Sequence, residues 1–283
     1  MKKIFILLKR IYAKAGKSLF VLFARFKLQR FFKRKMKILF SNHPGWKPGI
    51  EKGFRFSQHE LTFEDFTSEN IKKYDLVVPL FMRDLRYLTE LPHEVADNPI
   101  PIPTKNSIAL CDDKYCFNQL IIENGFAAVI PKMGQQLAYP YILKKRTDDN
   151  GENCHIILDA NDAQKFKYKI SDPEYFCQEI IAGSSEYASH ILFKDGKIVF
   201  AIDIEYVFDK DMPIKGKDNA VYTKIGDCHF TELFSSILRI VGFNGLCCFN
   251  YKVVDKRPYI FEINPRFGRS LSPYFFSFIN YLE

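Results

Sequence analysis

Apolar positions follow a helical period at the start of the chain and strand-length runs after it. Over residues 1–36, Ile4, Leu8, Ile11, Ala15, Leu19, Leu22 and Phe26 recur three or four apart and line one face of a helix, with Lys and Arg around the rest of the wheel. Residues 37–42 (KILFSN) and 74–81 (YDLVVPLF) are short apolar runs that predict buried strands. Between them, Pro44, Gly45, Trp46, Pro48 and Gly49 mark residues 43–53 as a loop, and residues 65–73 are weakly helical. Strand, loop, helix and strand predict a small α/β domain with a parallel sheet. Loops leaving the carboxyl ends of such strands commonly carry ligand groups, so Asn42, His43, Arg83 and Asp84 are candidates for touching an acceptor substrate. Three prolines within residues 98–105 mark a boundary.

Beyond that boundary the chain alternates helix and strand. A helix over residues 108–122 is capped by Asp112 or Asp113 and ends at Gly125. Residues 141–145 (YILKK) form a strand carrying Lys144, residues 146–153 a polar loop, and residues 154–158 a second strand. Residues 191–208 predict a hairpin turning at Asp195-Gly196. Its Asp203 and Glu205 share one face, directed to a site or to solvent. After a polar loop, residues 229–241 predict a helix ending at Gly242.

The most informative stretch is residues 247–270, CCFNYKVVDKRPYIFEINPRFGRS. Two apolar runs flank Asp255-Lys256-Arg257-Pro258, which predicts a β-hairpin. Strand alternation puts Glu262 and Asn264 on one face with Phe261 and Ile263 behind. A loop of about three residues sets Asn250 opposite Glu262. One carboxylate and two carboxamide oxygens then converge beside Arg266, a donor set that suits Mg²⁺ held jointly with the phosphates of a nucleotide.

Charge separates the ends of the chain from each other. The net charge is +8 over 283 residues, but residues 1–37 hold 13 of the 41 Lys and Arg and no acid, so the remainder carries 28 basic against 33 acidic residues. A basic amphipathic helix of this kind fits the surface of an anionic leaflet, and no apolar run approaches the length that spans a bilayer. The alternative is a helix that packs on the body or on a partner chain. Nucleic acid is a poorer partner because the body behind the helix is acidic. Gly16-Lys17-Ser18 is not a phosphate-binding loop, since position 11 is Ile where that motif needs its first Gly. Seven cysteines without a C-x-x-C pair predict no disulfide framework or zinc site, and with it a cytoplasmic protein, peripheral at the inner membrane face. His190, in a β-like run, is expected to be structural.

Glu262-Ile263-Asn264-Pro265-Arg266 resembles the strand E-[IV]-N-P-R that ends the nucleotide site of the ATP-grasp superfamily, carboxylate–amine ligases among them. Asp113-Lys114, the Lys144 strand with its Gly151 loop, and Gln178 to Glu186 resemble further family elements in the family's order, over roughly residues 105–275. The resemblance implies an α/β (α+β) ATP-grasp fold: a basic helix at 1–36, a small N-terminal α/β domain at 37–104 and an ATP-grasp domain at 105–283, with a nucleotide-binding subdomain near residues 135–190. It implies that Lys114 and Lys144 contact nucleotide phosphates. Glu179, Ile180 and Ile181 would frame the adenine, and Glu186 would take the ribose hydroxyls. Asn250, Glu262 and Asn264 would hold Mg²⁺, at a position where family members usually have an acid or Gln in place of Asn250. Arg266 and Arg269 would act in catalysis, the first on developing negative charge and the second on a carboxylate. The implied activity joins a carboxylate to an amine through an acylphosphate at the expense of ATP, on small-molecule or glycan-linked substrates such as cell-envelope precursors. A kinase that stops at phosphoryl transfer and a non-catalytic scaffold are the alternatives.

Overall fold

The computed structural model describes residues 2–31, 35–55, 57–148 and 151–282, with side chains of the first helix given for residues 6–21. Three sheets organise the chain. The first is parallel, ordered β2-β1-β3 from β1 (Lys37–Phe40), β2 (Glu60–Phe63) and β3 (Leu76–Val78), with helices α1 (Lys2–Phe31), α2 (Lys47–Phe54) and α3 (Met82–Thr89) in the same stretch of chain. Ile38, Leu39 and Phe40 are all buried, as expected of a central parallel strand covered on both faces. Next come α4 (Lys105–Asp112) and α5 (Lys114–Ile121), then β4 (Tyr141–Lys145), β5 (His155–Ile157), α6 (Ala160–Lys165), α7 (Lys167–Ile170) and β6 (Tyr175–Glu179). Here the sheet is antiparallel, ordered β5-β4-β6. The third and largest sheet is β11-β10-β7-β8-β9, built from β7 (Ser185–Lys194), β8 (Lys197–Val207), β9 (Tyr222–Asp227), β10 (Gly245–Val254) and β11 (Arg257–Asn264). Helix α8 (Thr231–Ile240) precedes β10, and α9 (Phe276–Ile279) lies near the end.

The large sheet is covered differently on its two faces. Phe249, Tyr251 and Ile263 point toward α5 and α8, where Phe117, Phe234 and Ile237 complete a buried cluster. On the other face, Leu192, Ile202, Ile204 and Leu246 join a second cluster with Ile38 and Phe40 of the first sheet and Phe275, Phe276 and Phe278 of the C-terminal segment. Phe275 meets Phe40 edge-on at 5.8 Å and Phe267 at 5.1 Å, so this aromatic segment joins the parallel sheet to the E-I-N-P-R loop.

Helix α1 lies along β9, the edge strand of the large sheet. Arg10 Nε donates to the carbonyl of Val221 at 3.0 Å, Lys17 reaches the Thr223 hydroxyl, Ala13 is buried and Phe20 meets Tyr274 edge-on at 6.0 Å. An edge strand exposes unpaired backbone groups, and α1 covers this one.

Several boundaries differ from the sequence expectation. The segment 43–53 contains α2 and is not loop throughout; Pro48 sits in its first turn, where a missing N–H costs nothing. Strand β2 was not expected, and the weak helix at 65–73 is one 3₁₀ turn, Ile71–Lys73. The helix expected at 108–122 is two helices. Asp113 separates them with extended backbone and caps the second through Tyr115 N at 3.1 Å and Cys116 N at 3.0 Å.

Gly245 opens β10 with φ +137°, and a Cβ there would lie 2.6 Å from the Pro101 carbonyl oxygen. Gly245→Ala is therefore expected to cost about 2 kcal/mol or more. Urea unfolding checks this as a lower midpoint at unchanged m-value.

Candidate active site

The central hairpin pairs Asn250 directly with Glu262, though by a different route from the expected three-residue loop. The turn has two residues, Asp255 and Lys256, with φ +49° and +64°, and a bulge between Asn250 and Tyr251 restores the register. Glu262 Oε1 accepts from Asn250 Nδ2 at 2.5 Å and from Asn264 Nδ2 at 3.2 Å. Its Oε2 lies 3.5 Å from Lys114 Nζ. Burial alone would raise the pKa of Glu262, but Lys114, Lys144, the Asn250 amide and Lys215 outweigh it and hold the pKa at about 2. The carboxylate is ionised.

Lys114 is aimed by its helix start. Asp113 caps α5 and grips Arg146 through both carboxylate oxygens, while the Lys114 amide donates to the Arg146 carbonyl at 2.9 Å. The Lys114 ammonium then donates to the Asp148 carbonyl at 2.7 Å and so ties the loop after β4 to Glu262. Lys144 is buried on β4, donates to Gln178 Oε1 at 2.8 Å and lies 4.8 Å from the Phe261 ring. Burial pushes its pKa down, against the pull of Cys154, Glu262 and Glu186.

Two lysines complete the site that the sequence reading did not name. Lys215 Nζ is 3.2 Å from Glu186 Oε1, reaches Asn250 Oδ1 and lies 5.2 Å from the Tyr206 ring. Its own burial would lower its pKa, yet Glu186 and Tyr206 turn the balance upward, so it stays charged. Lys215 comes from a polar loop with no motif, and no sequence signal points to it. Lys252 is buried and donates to the carbonyls of Ile181 at 2.9 Å and Gly183 at 2.8 Å. It follows Asn250 by two along β10, and that alternation was a usable signal.

The structure brings Lys114, Lys144, Glu186, Asn250, Glu262 and Asn264 together. Ile180 and Ile181 form the link between β6 and β7, fastened by Lys252. Glu179 sits at the end of β6, where its amide donates to the Lys132 carbonyl at 2.7 Å and its carboxylate accepts from the Lys132 amide at 3.2 Å. Asp203 and Glu205 are not part of the cluster: Asp203 accepts from Tyr251 and Ser189, Glu205 from Ser185 and Lys224. Arg266 and Arg269 belong to a neighbouring basic patch. The Arg266 guanidinium lies 5.7 Å from the Trp46 ring. His43 stacks between Trp46 at 4.4 Å and Phe81 at 4.3 Å. Burial first, and then Arg266, Arg269 and Arg83, lower the His43 pKa. Arg83 pairs with Asp84 at 3.4 Å, and Asn42 is exposed nearby in the chain.

Two loops meet over the cluster. A Cβ on Gly151, which has φ +66°, would lie 3.1 Å from both Ile214 Cγ2 and the Lys215 carbonyl oxygen, and Lys217 donates to the Cys154 carbonyl at 2.7 Å. Glycine lets the loop after β4 approach the loop that carries Lys215.

Among the described residues, no group of three or more His, Cys, Asp or Glu gathers as a metal site. The oxygen donors are one ionised carboxylate and two carboxamides; both amides here donate to Glu262 and Asn250 Oδ1 accepts from Lys215, so the set would suit Mg²⁺ once the amides and Lys215 turn to a bound phosphate. None of the seven cysteines forms a disulfide.

Taken together, the large antiparallel sheet and the small one bring Lys114, Lys144 and Lys215 around the Glu-x-Asn strand, a cluster with the charge to take an anion. A family model described as an ATP-grasp domain matches residues 111–270, and the chain belongs to that family. Solved structures share the fold at low identity. D-alanine–D-alanine ligase from Bacillus anthracis is 15% identical with a TM-score of 0.57, over 84% of this chain and 89% of that one. Phosphoribosylamine–glycine ligase from Thermotoga maritima is 14% identical with a TM-score of 0.63, over 84% and 70%. An L-amino acid ligase from Bacillus licheniformis is 14% identical with a TM-score of 0.56, over 89% and 73%. No curated protein matches by sequence.

His190 is fully buried, bonded to Ser270 Oγ at 2.8 Å, and burial drops its pKa from 6.5 to about 3. The unfolded chain therefore takes up this proton first, and stability present above pH 6.5 is lost as pH falls toward 3. Glu262 adds a second loss between 4.5 and about 2. Urea midpoints should begin to fall below pH 6.5, and His190→Gln should make that first stage shallower, the remainder coming from His43, His59 and His155. A decline that starts only below pH 4.5 would contradict the assignment.

Proposed function

We propose that the chain is an ATP-dependent carboxylate–amine ligase. The observation that carries this reading is the Glu262 carboxylate, flanked by Asn250 and Asn264 and approached by Lys114, Lys144 and Lys215. More ammonium groups than carboxylates enter this site, and the excess suits a polyphosphate. Lys114, Lys144 and Lys215 would hold its phosphates, and the Ile180–Ile181 link fastened by Lys252 would lie against the adenine. Glu186 would accept the ribose hydroxyls once Lys215 turns to phosphate. Glu262, Asn264 and Asn250 would hold Mg²⁺, which when bound supplies charge neutralisation at the phosphates.

The reaction then balances as follows. A carboxylate oxygen of the first substrate attacks the γ-phosphorus, the bond to the β-phosphate oxygen breaks, and ADP leaves. The lone pair of an uncharged amine attacks the acyl carbon of the acylphosphate. Phosphate departs with the bonding electrons, and the amine's proton passes to solvent. Arg266 and Arg269, in the neighbouring basic patch, would neutralise the oxyanion and grip a substrate carboxylate bidentately. Positioning of the two reactants supplies much of the rate. The basic α1 supports a substrate presented at a membrane surface, such as a cell-envelope or glycan precursor.

An ATP-hydrolysis screen over amino acids and amino sugars, read by product mass, tests the reading. ADP and phosphate should appear only with both carboxylate and amine present; a phosphorylated product without amine would make it a kinase, and no turnover a scaffold. Glu262→Gln should lower turnover by about a hundredfold or more with Mg²⁺ present. Unchanged turnover would remove Glu262 from the site.

A further inference from the structure

Helix α1 has two faces of different character. Arg10, Ala13, Lys17 and Phe20, spaced three and four apart, hold the body through the contacts described above. The opposite side carries Leu8, Ile11, Ala15 and Leu19, again three and four apart. Leu8 is 59% exposed, Ile11 57% and Leu19 68%, and Leu7 and Tyr12 beside them are exposed as well. The stripe read from the sequence therefore points away from the protein, so packing on the body does not account for it. Its continuation at Ile4, Leu22 and Phe26 lies outside the described side chains.

Charge identifies what covers this face. On the helical wheel Lys9 and Lys14, both exposed, fall on opposite flanks of the stripe. Residues 1–37 contain no acid, whereas the rest of the chain carries five more acidic than basic residues. An apolar band with a lysine on either flank matches a plane whose interior is hydrocarbon and whose rim is anionic. Among the described residues no helix is long and apolar enough to cross a membrane. We propose that α1 docks the protein, lying flat, on an anionic lipid surface, with Leu8, Ile11 and Leu19 in the acyl boundary and Lys9 and Lys14 at the headgroups. The proposal does not depend on the ligase reading.

Vesicle co-sedimentation of the full chain tests it, with phosphatidylcholine alone and with phosphatidylcholine–phosphatidylglycerol mixtures. The protein should bind the mixed vesicles, bind neutral ones weakly, and be released as salt rises. Replacing Leu8, Ile11 and Leu19 together by Asp should abolish binding without changing the circular dichroism or elution volume. The double variant Lys9→Gln, Lys14→Gln should weaken it about fivefold per charge. Equal binding to neutral vesicles, or retention by the triple variant, would overturn the proposal. So would self-association without lipid that the triple variant abolishes, since the stripe would then bind a second copy. ATP turnover measured on the same variants should be unaffected, which separates failure here from failure of the ligase reading.

Discussion

The ionised Glu262 carboxylate among the ammonium groups of Lys114, Lys144 and Lys215 is the constraint on which the site depends. Glu262, half-buried, stays charged because Lys114 lies 3.5 Å away and two amides donate to it. A buried charge without such partners would be protonated or would destabilise the fold. Each partner comes from a different part of the chain: Lys114 from the start of α5, Lys144 from β4, Lys215 from the loop before β9 and Asn250 from β10. Residues from both antiparallel sheets thus meet at one carboxylate.

The same logic explains the supporting contacts. Asp113 caps α5 and clamps Arg146, which aims Lys114 and anchors the loop that bears Asp148. Lys252 fastens the link between β6 and β7 by two carbonyls. Gly268 follows the E-I-N-P-R strand where a Cβ would meet the His190 ring at 2.5 Å, so the loop bearing Arg266 and Arg269 can lie against the sheet only with glycine there. Phe267 and Phe275 then join that loop to the parallel sheet, where His43 and Trp46 stand.

Much of this was legible in the sequence wherever strand alternation or a turn signal carried it. Glu262, Asn264 and Asn250 share a face for reasons that period-two alternation states, and Asp195-Gly196 turns its hairpin as such a pair does. A three-residue loop and a two-residue turn with a bulge both set Asn250 opposite Glu262, and a bulge leaves no local signature in side-chain type. Lys215 was invisible: a lysine in a polar loop reads as solvated until tertiary structure shows Glu186 and Asn250 beside it. Helix α2 was hidden by Pro48 and Gly49, which read as loop but sit in a first turn that tolerates them. For α1 the stripe was plain in the sequence, and only its orientation required the fold.

The most direct test is calorimetric titration of the protein with Mg²⁺ alone and with ATP in the presence of Mg²⁺. With three lysines already facing Glu262, Mg²⁺ alone should bind weakly or not at all, whereas ATP with Mg²⁺ should bind and Lys215→Met should weaken it. Tight binding of Mg²⁺ without nucleotide, or no binding of ATP with Mg²⁺, would contradict the account.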